Sequence, residues 1–231
     1  MPPHPRAHRG VGAGRPGRTV SSGWGAPDEA PTRLVLLRHG QTPMSVERRF
    51  AGRGDIPLTD AGHAQAAAVA HRLASWPIDA VVSSPLARAR DTAAHAAEVL
   101  GLPVEVDEGF VETDFGDWEG MTFAEARELA PDDVDRWLAD TGTGPPGGES
   151  FAAVAARVGA AREALVERHR GRTVLVVSHV TPIKVVVQQA MLAPLSALYR
   201  MHLDTACLTE VDCYADGPMV VRSLNDTAHL A

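Results

Sequence analysis

The chain of 231 residues contains only two cysteines, Cys207 and Cys213. Two cysteines are too few to form a zinc site. The apolar residues between them predict a single strand, along which a six-residue separation spans about 20 Å and excludes a disulfide between the two thiols. We therefore expect reduced, structural cysteines and a cytoplasmic protein.

Long hydrophobic runs are also missing, and none approaches the length of about 20 residues that crosses a bilayer. No pair of the ten histidines has helical ligand spacing with a carboxylate partner, so we expect neither a metal nor another cofactor. The chain also lacks excess positive charge, since its net charge is −7. This balance argues against nucleic acid or an anionic membrane as the main partner. Small phosphorylated metabolites remain possible partners, because a local arginine cluster acts at contact distance.

Residues 1–31 differ in composition from the rest of the chain. They hold six of the 17 prolines and six of the 21 glycines. Such a segment buries too little apolar surface to fold alone, so we expect a disordered basic tail. Without its four arginines and two acids, the remaining 18 basic and 27 acidic residues give a net charge of −9. A linker remnant is the simpler interpretation, and a nucleic-acid-binding arm is the alternative.

A run of four aliphatic residues, at positions 34–37, leads directly into Arg38, His39 and Gly40. A short apolar run of this kind predicts a strand that is buried on both faces. Open α/β sheets bind their ligands at the carboxyl ends of such strands. Arg-His-Gly at that place supplies a fixed positive charge, a nitrogen nucleophile and a closely approachable backbone. This combination suits an anionic substrate.

The same pattern occurs a second time, where the aliphatic residues 174–177 are followed by Ser178 and His179. If the two strands are parallel neighbours, their spacing of roughly 5 Å brings His39 and His179 together at one edge of the sheet. A single histidine in such a place is often only a packed imidazole. Two histidines at matching strand ends indicate a functional site.

Further motifs follow along the chain in a defined order. They are Ser83-Ser84-Pro85-Leu86-Ala87-Arg88, Glu112, Phe115-Gly116-Asp117-Trp118-Glu119-Gly120 and Ser178-His179. With Arg38-His39-Gly40, they make the chain from about residue 33 resemble the histidine phosphatase superfamily, in its phosphoglycerate mutase-like branch. Residues 179–184 and 199–204 also resemble the phosphatase half of actinobacterial proteins that join a ribonuclease H-like domain to an acid or α-ribazole phosphatase.

The resemblance implies a role for each motif. His39 is implied to attack phosphorus and become phosphohistidine, and Glu112 to protonate the leaving group and later accept a proton from water. Arg38, Arg88 and His179 are implied to bind the phosphoryl oxygens. His39, Glu112 and His179 are thus the expected catalytic residues.

Two of the implied assignments are less direct. Family members usually carry an asparagine at the place of Ser45, which is expected to bind substrate phosphate with a shorter reach. Glu112 is one of five acids within a dozen residues, and its spacing from the Phe-Gly-x-Trp-Glu-Gly motif selects it. Glu108 and Asp114 are the alternatives. Arg90 is interpreted as a solvated cation.

The alternation of strands and helices predicts an α/β fold, and the resemblance implies a three-layer α/β/α sandwich with a mostly parallel central sheet. One domain is expected over residues 32–231, with a short lid insert at about residues 113–150. Helices are predicted at residues 59–75, 151–170 and 180–191, together with one that Ser84 caps and Pro85 begins. Strands are predicted at residues 78–82 and 104–106 and, at the sheet edge, at residues 203–211 and 219–224. Residues 41–55 are predicted to form a loop.

These expectations favour a phosphatase that hydrolyses small phosphomonoesters without a metal. A phosphoglycerate mutase uses the same residues but needs a lid that keeps water from the phosphoenzyme, and the lid predicted here is short. A non-catalytic phosphate-binding module is the second alternative, although such a module would not need both His39 and Glu112. The oligomeric state stays open, with a dimer as one possibility.

Overall fold

The computed structural model describes residues 30–231, so the predicted tail at residues 1–31 lies outside the described residues except for its last two positions. Strands in this range are β1 Thr32–Arg38, β2 Ala80–Ser83, β3 Val104–Val106, β4 Thr173–Ser178, β5 Leu208–Cys213 and β6 Met219–Asp226. They form one sheet in the order β3-β2-β4-β1-β5-β6.

Strand β1 lies inside the sheet and pairs in parallel with β4. The register places Leu37 opposite Val177 and Arg38 opposite Ser178. The condition stated for these two strands, that they are parallel neighbours, is met. Their carboxyl ends therefore lie side by side.

On its other side, β1 pairs antiparallel with β5, which in turn pairs antiparallel with β6. The prediction that β5 is an edge strand is therefore wrong. The strand was predicted at residues 203–211 and did not include Asp212, which is buried and lies 2.7 Å from Nε of Arg33 on β1. The ion pair lets a polar residue occupy an interior strand.

The helices of the described region are α1 Pro43–Glu47, α2 Asp60–Leu73, α3 Ala87–Leu100, α4 Phe123–Leu129, α5 Pro131–Ala139, α6 Phe151–Arg168 and α7 Val180–Ala190. Short 3-10 turns occur at Glu108–Phe110, Gly116–Trp118, Leu195–Arg200 and Ala228–Leu230. The helices predicted at residues 59–75, 151–170 and 180–191 are confirmed to within a few residues. The Thr59 side chain caps α2 by accepting from the Gly62 N–H.

Helix α1 replaces part of the loop predicted at residues 41–55. Thr42 and Ser45 form a capping box, and Pro43 occupies the first turn. The helix has five residues, all partly or fully exposed. A helix of five residues is too short to show an apolar periodicity, which is why the sequence did not reveal it.

Helix α3 begins at Ala87, with Leu86 rather than Ser84 at the N-cap. The Ala87 N–H donates instead to Oδ1 of Asp55, 2.6 Å away, so a carboxylate from a distant loop faces the positive end of this helix. The predicted Ser84 cap is wrong because the Ser84 hydroxyl lies 2.7 Å from Nε2 of His179.

Alternate residues of β1 enter two separate apolar clusters, and all of them are at most 1% exposed. Leu34 and Leu36 pack in a cluster with residues of α6 and α7, whereas Val35 and Leu37 pack with residues of α2 and α3. Helices thus cover both faces of the sheet, which explains why the strand is apolar at every position. The predicted three-layer α/β/α sandwich with a mostly parallel sheet is confirmed.

Residues 113–150 contain α4, α5 and a glycine-rich loop. Trp137 of α5 packs edge-on against Trp118, with ring centroids 5.5 Å apart, and against Phe50, at 6.2 Å. Phe151 at the start of α6 extends this aromatic cluster, 5.3 Å from Trp137. The segment is therefore packed against the loop that follows β1, and its role as a lid stays a prediction.

Both cysteines are free and buried. Burial raises the pKa of each thiol to about 11. The prediction that no disulfide joins them is confirmed. None of the helices between residues 30 and 231 is long and apolar enough to cross a bilayer.

Candidate active site

His39 directly follows β1, and main-chain hydrogen bonds hold it in place. Its N–H donates to the Ser178 carbonyl at 3.0 Å, and its carbonyl accepts from the Ala206 N–H at 3.1 Å. Nδ1 lies 2.8 Å from the Gly40 carbonyl oxygen. A carbonyl can only accept, so Nδ1 carries the proton and the neutral ring presents an unprotonated Nε2. This nitrogen is available for nucleophilic attack.

His179 directly follows β4, and its ring centroid lies 5.1 Å from that of His39. The hydroxyl of Ser84 accepts from the Leu86 N–H at 3.4 Å, which leaves its proton for Nε2 of His179 at 2.7 Å. When the Ser84 hydroxyl donates to Nε2, the ring proton of His179 is on Nδ1. Nδ1 is buried without a partner among the described residues, and in this tautomer it is a donor free for an anionic ligand.

Arg38 and Arg88 bring two guanidinium groups to the same place. Arg38 Nη1 donates to the Leu203 carbonyl at 2.6 Å, and Arg88 is fully buried. Within residues 30–231, the Nε atoms of both arginines are buried without a partner. Leaving such donors unpaired is costly, and an oxyanion would satisfy them. The remaining Arg88 nitrogens donate at 2.8–3.0 Å to the carbonyls of Ala51, Gly52 and Gly54.

Burial and charge act together on the two imidazoles. The pKa of His39 lies well below its ordinary value because burial disfavours the charged ring and because Arg38 and Arg88 are positive. The pKa of His179 also lies well below its ordinary value. Burial is the largest cause, and electrostatic repulsion from the neighbouring His39 and the arginines is the next. The His39 ring is thus neutral, and its surroundings attract an anion.

Glu112 lies in the loop after the 3-10 turn Glu108–Phe110 and is 5% exposed. Its Oε1 accepts from the Thr113 N–H at 2.8 Å and from the Thr181 N–H, in the first turn of α7, at 3.3 Å. Its negative charge acts on both Arg38 and Arg88. The carboxylate therefore lies within the electrostatic reach of both phosphate-binding candidates.

Of the two alternatives to Glu112, one is exposed to solvent and the other binds a neighbouring main-chain N–H group. Glu108 is exposed in its 3-10 turn. Oδ1 of Asp114 accepts from the Gly116 N–H at 2.9 Å and so stabilises the next turn. Arg90, interpreted as solvated, is exposed.

One cavity of about 210 Å³ opens onto these groups. Arg88 and His179 lie behind its surface and are fully buried. Its walls combine two cations, one carboxylate and an imidazole with two phenylalanines. The lining residues are Arg38, His39, Thr42, Ser45, Arg49, Phe50, Ala51, Glu112, Phe115, Val180 and Thr181.

Ser45 also lines this cavity, but its hydroxyl is engaged within α1. It accepts from the Thr42 N–H at 2.9 Å and donates to the Thr42 carbonyl at 2.8 Å. A hydroxyl has one proton. Donation to a phosphate would therefore replace its bond to the Thr42 carbonyl.

A larger cavity of about 490 Å³ lies between α2 and the C-terminal 3-10 turn. Arg72, which lines this cavity, donates to Asp226 through Nη1 at 3.1 Å, so its positive charge is neutralised by that carboxylate. The histidine pair and the unpaired guanidinium donors belong to the smaller cavity. The chemistry of the molecule is therefore assigned there.

The loop around Arg88, at residues 51–55, is held by a carboxylate whose partners the sequence did not reveal. The Glu119 carboxylate accepts from the Gly52 N–H at 2.9 Å and from the Gly54 N–H at 3.3 Å. These partners lie 65–67 residues apart along the chain. The Phe-Gly-x-Trp-Glu-Gly motif marked Glu119, but no local pattern shows which N–H groups it binds.

Between residues 30 and 231, no group of three or more His, Cys, Asp or Glu side chains could hold a metal ion. The unpaired nitrogens of this site are Nε of Arg38, Nε of Arg88 and Nδ1 of His179, and both guanidinium nitrogens are N–H donors. Donors of this kind bind oxyanions.

Known proteins share both the sequence and the fold of this chain. Residues 34–227 match the family model of the histidine phosphatase superfamily (branch 1). The bifunctional protein Rv2228c of Mycobacterium tuberculosis is 53% identical over 212 residues, which are 91% of this chain and 58% of that protein. Phosphoserine phosphatase 1 of Hydrogenobacter thermophilus is 33% identical over 199 residues, which are 86% of this chain and 94% of that protein.

A solved structure of a related phosphatase has a similar fold. Mycobacterial glucosyl-3-phosphoglycerate phosphatase Rv2419c, in complex with VO3, superposes with a TM-score of 0.78 and 33% identity over 85% of this chain and all of that chain. The match to a bifunctional mycobacterial protein agrees with the narrower resemblance in residues 179–184 and 199–204. The chain spans 58% of the length of that bifunctional relative.

Proposed function

The chain belongs to branch 1 of the histidine phosphatase superfamily, and we propose that it is a phosphoric monoester hydrolase that forms a phosphohistidine intermediate on His39. The observation that carries the proposal is the unprotonated Nε2 of His39 beside the positive charges of Arg38 and Arg88. A neutral imidazole nitrogen can attack phosphorus, and fixed cations offset the charge on the phosphoryl oxygens.

In the first half-reaction, Nε2 of His39 forms a bond to phosphorus while the bond from phosphorus to the ester oxygen breaks. Glu112 gives its proton to the departing oxygen, so the leaving group departs as a neutral alcohol. The Nε atoms of Arg38 and Arg88 and the Nδ1–H of His179 donate to the phosphoryl oxygens. Ser45 adds a donor at the rim when its hydroxyl turns from the Thr42 carbonyl to the phosphate. These donors stabilise the transition state through charge and orientation.

In the second half-reaction, a water molecule attacks phosphorus and the bond to Nε2 breaks. Glu112, now a carboxylate, accepts the proton of that water. Inorganic phosphate leaves, and His39 and Glu112 return to their starting states. Each turnover therefore needs neutral His39 and protonated Glu112 at its start.

The substrate class follows from the size and lining of the cavity. A volume of about 210 Å³ lies below the usual range of about 300–1,000 Å³ for pockets that hold drug-sized ligands. Phe50 and Phe115 line it alongside the charged groups. We assign small phosphorylated metabolites as substrates. Relatives named for phosphoserine and for glucosyl-3-phosphoglycerate support this class.

The cellular location proposed for this enzyme is the cytoplasm. Its two thiols are free and buried, and burial holds the pKa of each at about 11. Phosphorylated metabolites are abundant in the same compartment. Disulfides form in oxidising compartments, whereas the thiols of cytoplasmic proteins are kept reduced.

The intermediate provides the direct test of this proposal. Enzyme quenched during turnover of a radiolabelled phosphomonoester is expected to carry acid-labile phosphate on His39. His39→Ala should abolish both the label and turnover, while circular dichroism stays unchanged. Label on His179 would reverse the roles of the two histidines, and a protein that binds phosphate without label or turnover would be a binding module.

Hydrolysis is favoured over mutase activity because the segment at residues 113–150 is short, and because Glu112 and His39 line a cavity that opens to solvent. Water can then reach the phosphoenzyme. Incubation with 3-phosphoglycerate decides between the two. Free phosphate without 2-phosphoglycerate supports hydrolysis, and rapid interconversion of the isomers with little phosphate release supports a mutase.

A further inference from the structure

Arg157, on helix α6, binds the main chain of the loop that carries Glu112. Its Nη1 donates to the Gly109 carbonyl at 3.0 Å and to the Val111 carbonyl at 2.8 Å. Its Nη2 is 3.5 Å from the carbonyl of Glu112 itself. One half-buried guanidinium therefore fixes three carbonyls within four consecutive residues.

Glu149 holds that guanidinium from the opposite side. Its two carboxylate oxygens accept from Arg157 Nε at 3.1 Å and from Nη2 at 2.8 Å, which is a bidentate ion pair. The same carboxylate pairs with Arg53 at 3.3 Å and lies 3.5 Å from the Asp114 N–H. The pair thus connects α6 with the main chain before and after Glu112, and through Arg53 with the loop around Arg88.

We propose that Arg157 and Glu149 are positioning residues that aim the Glu112 carboxyl at the leaving oxygen. The inference rests on the proposed role of Glu112 as general acid. Glu112 has no ion pair of its own in the described region, and two main-chain N–H groups, of Thr113 and Thr181, bind its carboxylate. The direction of the carboxyl therefore depends on the path of the main chain, which Arg157 fixes.

The chemistry of the step makes this role measurable. Proton transfer from Glu112 is needed when the leaving oxygen is strongly basic, and it matters little when the leaving group is a stable anion. Phenyl phosphate and 4-nitrophenyl phosphate have nearly the same size, but phenolate is much more basic than 4-nitrophenolate. A misdirected acid should slow the first substrate selectively, whereas a general loss of structure should slow both equally.

The experiment measures kcat/KM for these two substrates in the full-length chain, because kcat/KM reports the steps up to departure of the leaving group. The variants are Arg157→Met and Glu149→Gln, with Glu112→Gln as the reference for loss of the acid. Arg162→Met is the matched control: Arg162 is a half-buried arginine five residues further along α6, and it binds Gln189, Met219 and Glu163. Melting temperature and circular dichroism are recorded for each variant.

Glu112→Gln is expected to lower kcat/KM for phenyl phosphate by about 100-fold or more and for 4-nitrophenyl phosphate by much less. Arg157→Met should lower the phenyl phosphate value by about 30-fold with less than about a threefold change for 4-nitrophenyl phosphate. Glu149→Gln should shift the ratio in the same direction by about fivefold, and it decides the question if Arg157→Met does not fold. Arg162→Met should leave the ratio unchanged.

Equal loss on both substrates in the Arg157 and Glu149 variants, or no loss, overturns the positioning role while the Glu112 reference still supports the proposed function. If Glu112→Gln itself shows no dependence on the leaving group, Glu112 is not the acid. The positioning role then fails together with that assignment.

Discussion

At the scale of single residues, His39 and His179 are buried in neutral form beside two arginines. The pKa of each lies well below 6.5 in the folded protein, whereas in the unfolded chain each titrates near 6.5. Below pH 6.5 the unfolded state therefore binds more protons than the folded state. Stability contributed by these groups is fully present above pH 6.5 and is lost as the pH falls from there toward the folded values.

The free energy of unfolding is accordingly expected to fall on acidification. Each histidine adds a slope of at most about 1.4 kcal/mol per pH unit, so the pair adds at most about 2.7 kcal/mol per unit. His39→Asn removes one titrating group and should reduce the loss measured by urea denaturation between pH 7.5 and 5.5. His71→Asn, on an exposed face of α2, is the control. An unchanged pH dependence in the His39 variant would contradict the assignment.

At the scale of structural elements, the loop at residues 51–55 is the part of the site that the other elements hold in place. Glu119 binds two of its N–H groups, and three of its carbonyls, at Ala51, Gly52 and Gly54, bind Arg88 in turn. Arg88 thus has a fixed direction only while the loop keeps its shape. Hydrogen bonds to a charged group contribute about 1.5–3 kcal/mol each.

Glu119→Ala is therefore expected to weaken inhibition by inorganic phosphate or vanadate by about tenfold, which corresponds to about 1.4 kcal/mol. Inhibition constants measured against 4-nitrophenyl phosphate provide the test. Glu128→Ala, at an exposed position of α4, should leave the constant unchanged. Equal constants for wild type and the Glu119 variant would show that the loop holds Arg88 without this carboxylate.

Local sequence patterns predicted those strands and helices in which buried residues are consecutive or regularly spaced along the chain. The strands before His39 and His179 are aliphatic because helices cover both faces, so their position was readable from the sequence. Their parallel pairing, which the sequence analysis only assumed, is given by the structure. Glu112, Arg38 and Arg88 were selected by resemblance, and the structure places them around one histidine pair. The contacts of Arg157 cross about 45 residues, and those of Glu119 cross about 65. Side-chain to main-chain bonds of that range leave no periodic trace in a sequence.

At the scale of the whole molecule, the proposed mechanism offsets the charge of a phosphoryl group with side chains of the chain itself. Arg38 and Arg88 each present an unpaired Nε, and His179 presents Nδ1. Phosphoryl-transfer enzymes that use Mg²⁺ need the ion for the same neutralisation. Hydrolysis is therefore expected to continue at an unchanged rate after dialysis against EDTA. Complete loss of activity that a divalent metal restores would refute this expectation.

Residues 30–231 contain both apolar clusters and every proposed site residue. The preceding 29 residues are rich in proline and glycine and poor in aliphatic side chains. Deleting them is expected to change the melting temperature by less than about 2 °C and to leave kcat/KM unchanged. A large decrease in either quantity would show that this segment contributes to the folded domain.

The pairing of β1 determines when the site can exist. Leu37 pairs with Val177 on one side and with Leu208 on the other, 140 and 171 residues further along the chain. During synthesis the strand that carries His39 leaves the ribosome long before either partner, and contacts of such long range form late in folding. A nascent chain therefore has His39 but no pocket, and the proposed hydrolytic activity is expected to begin only after β5 has emerged.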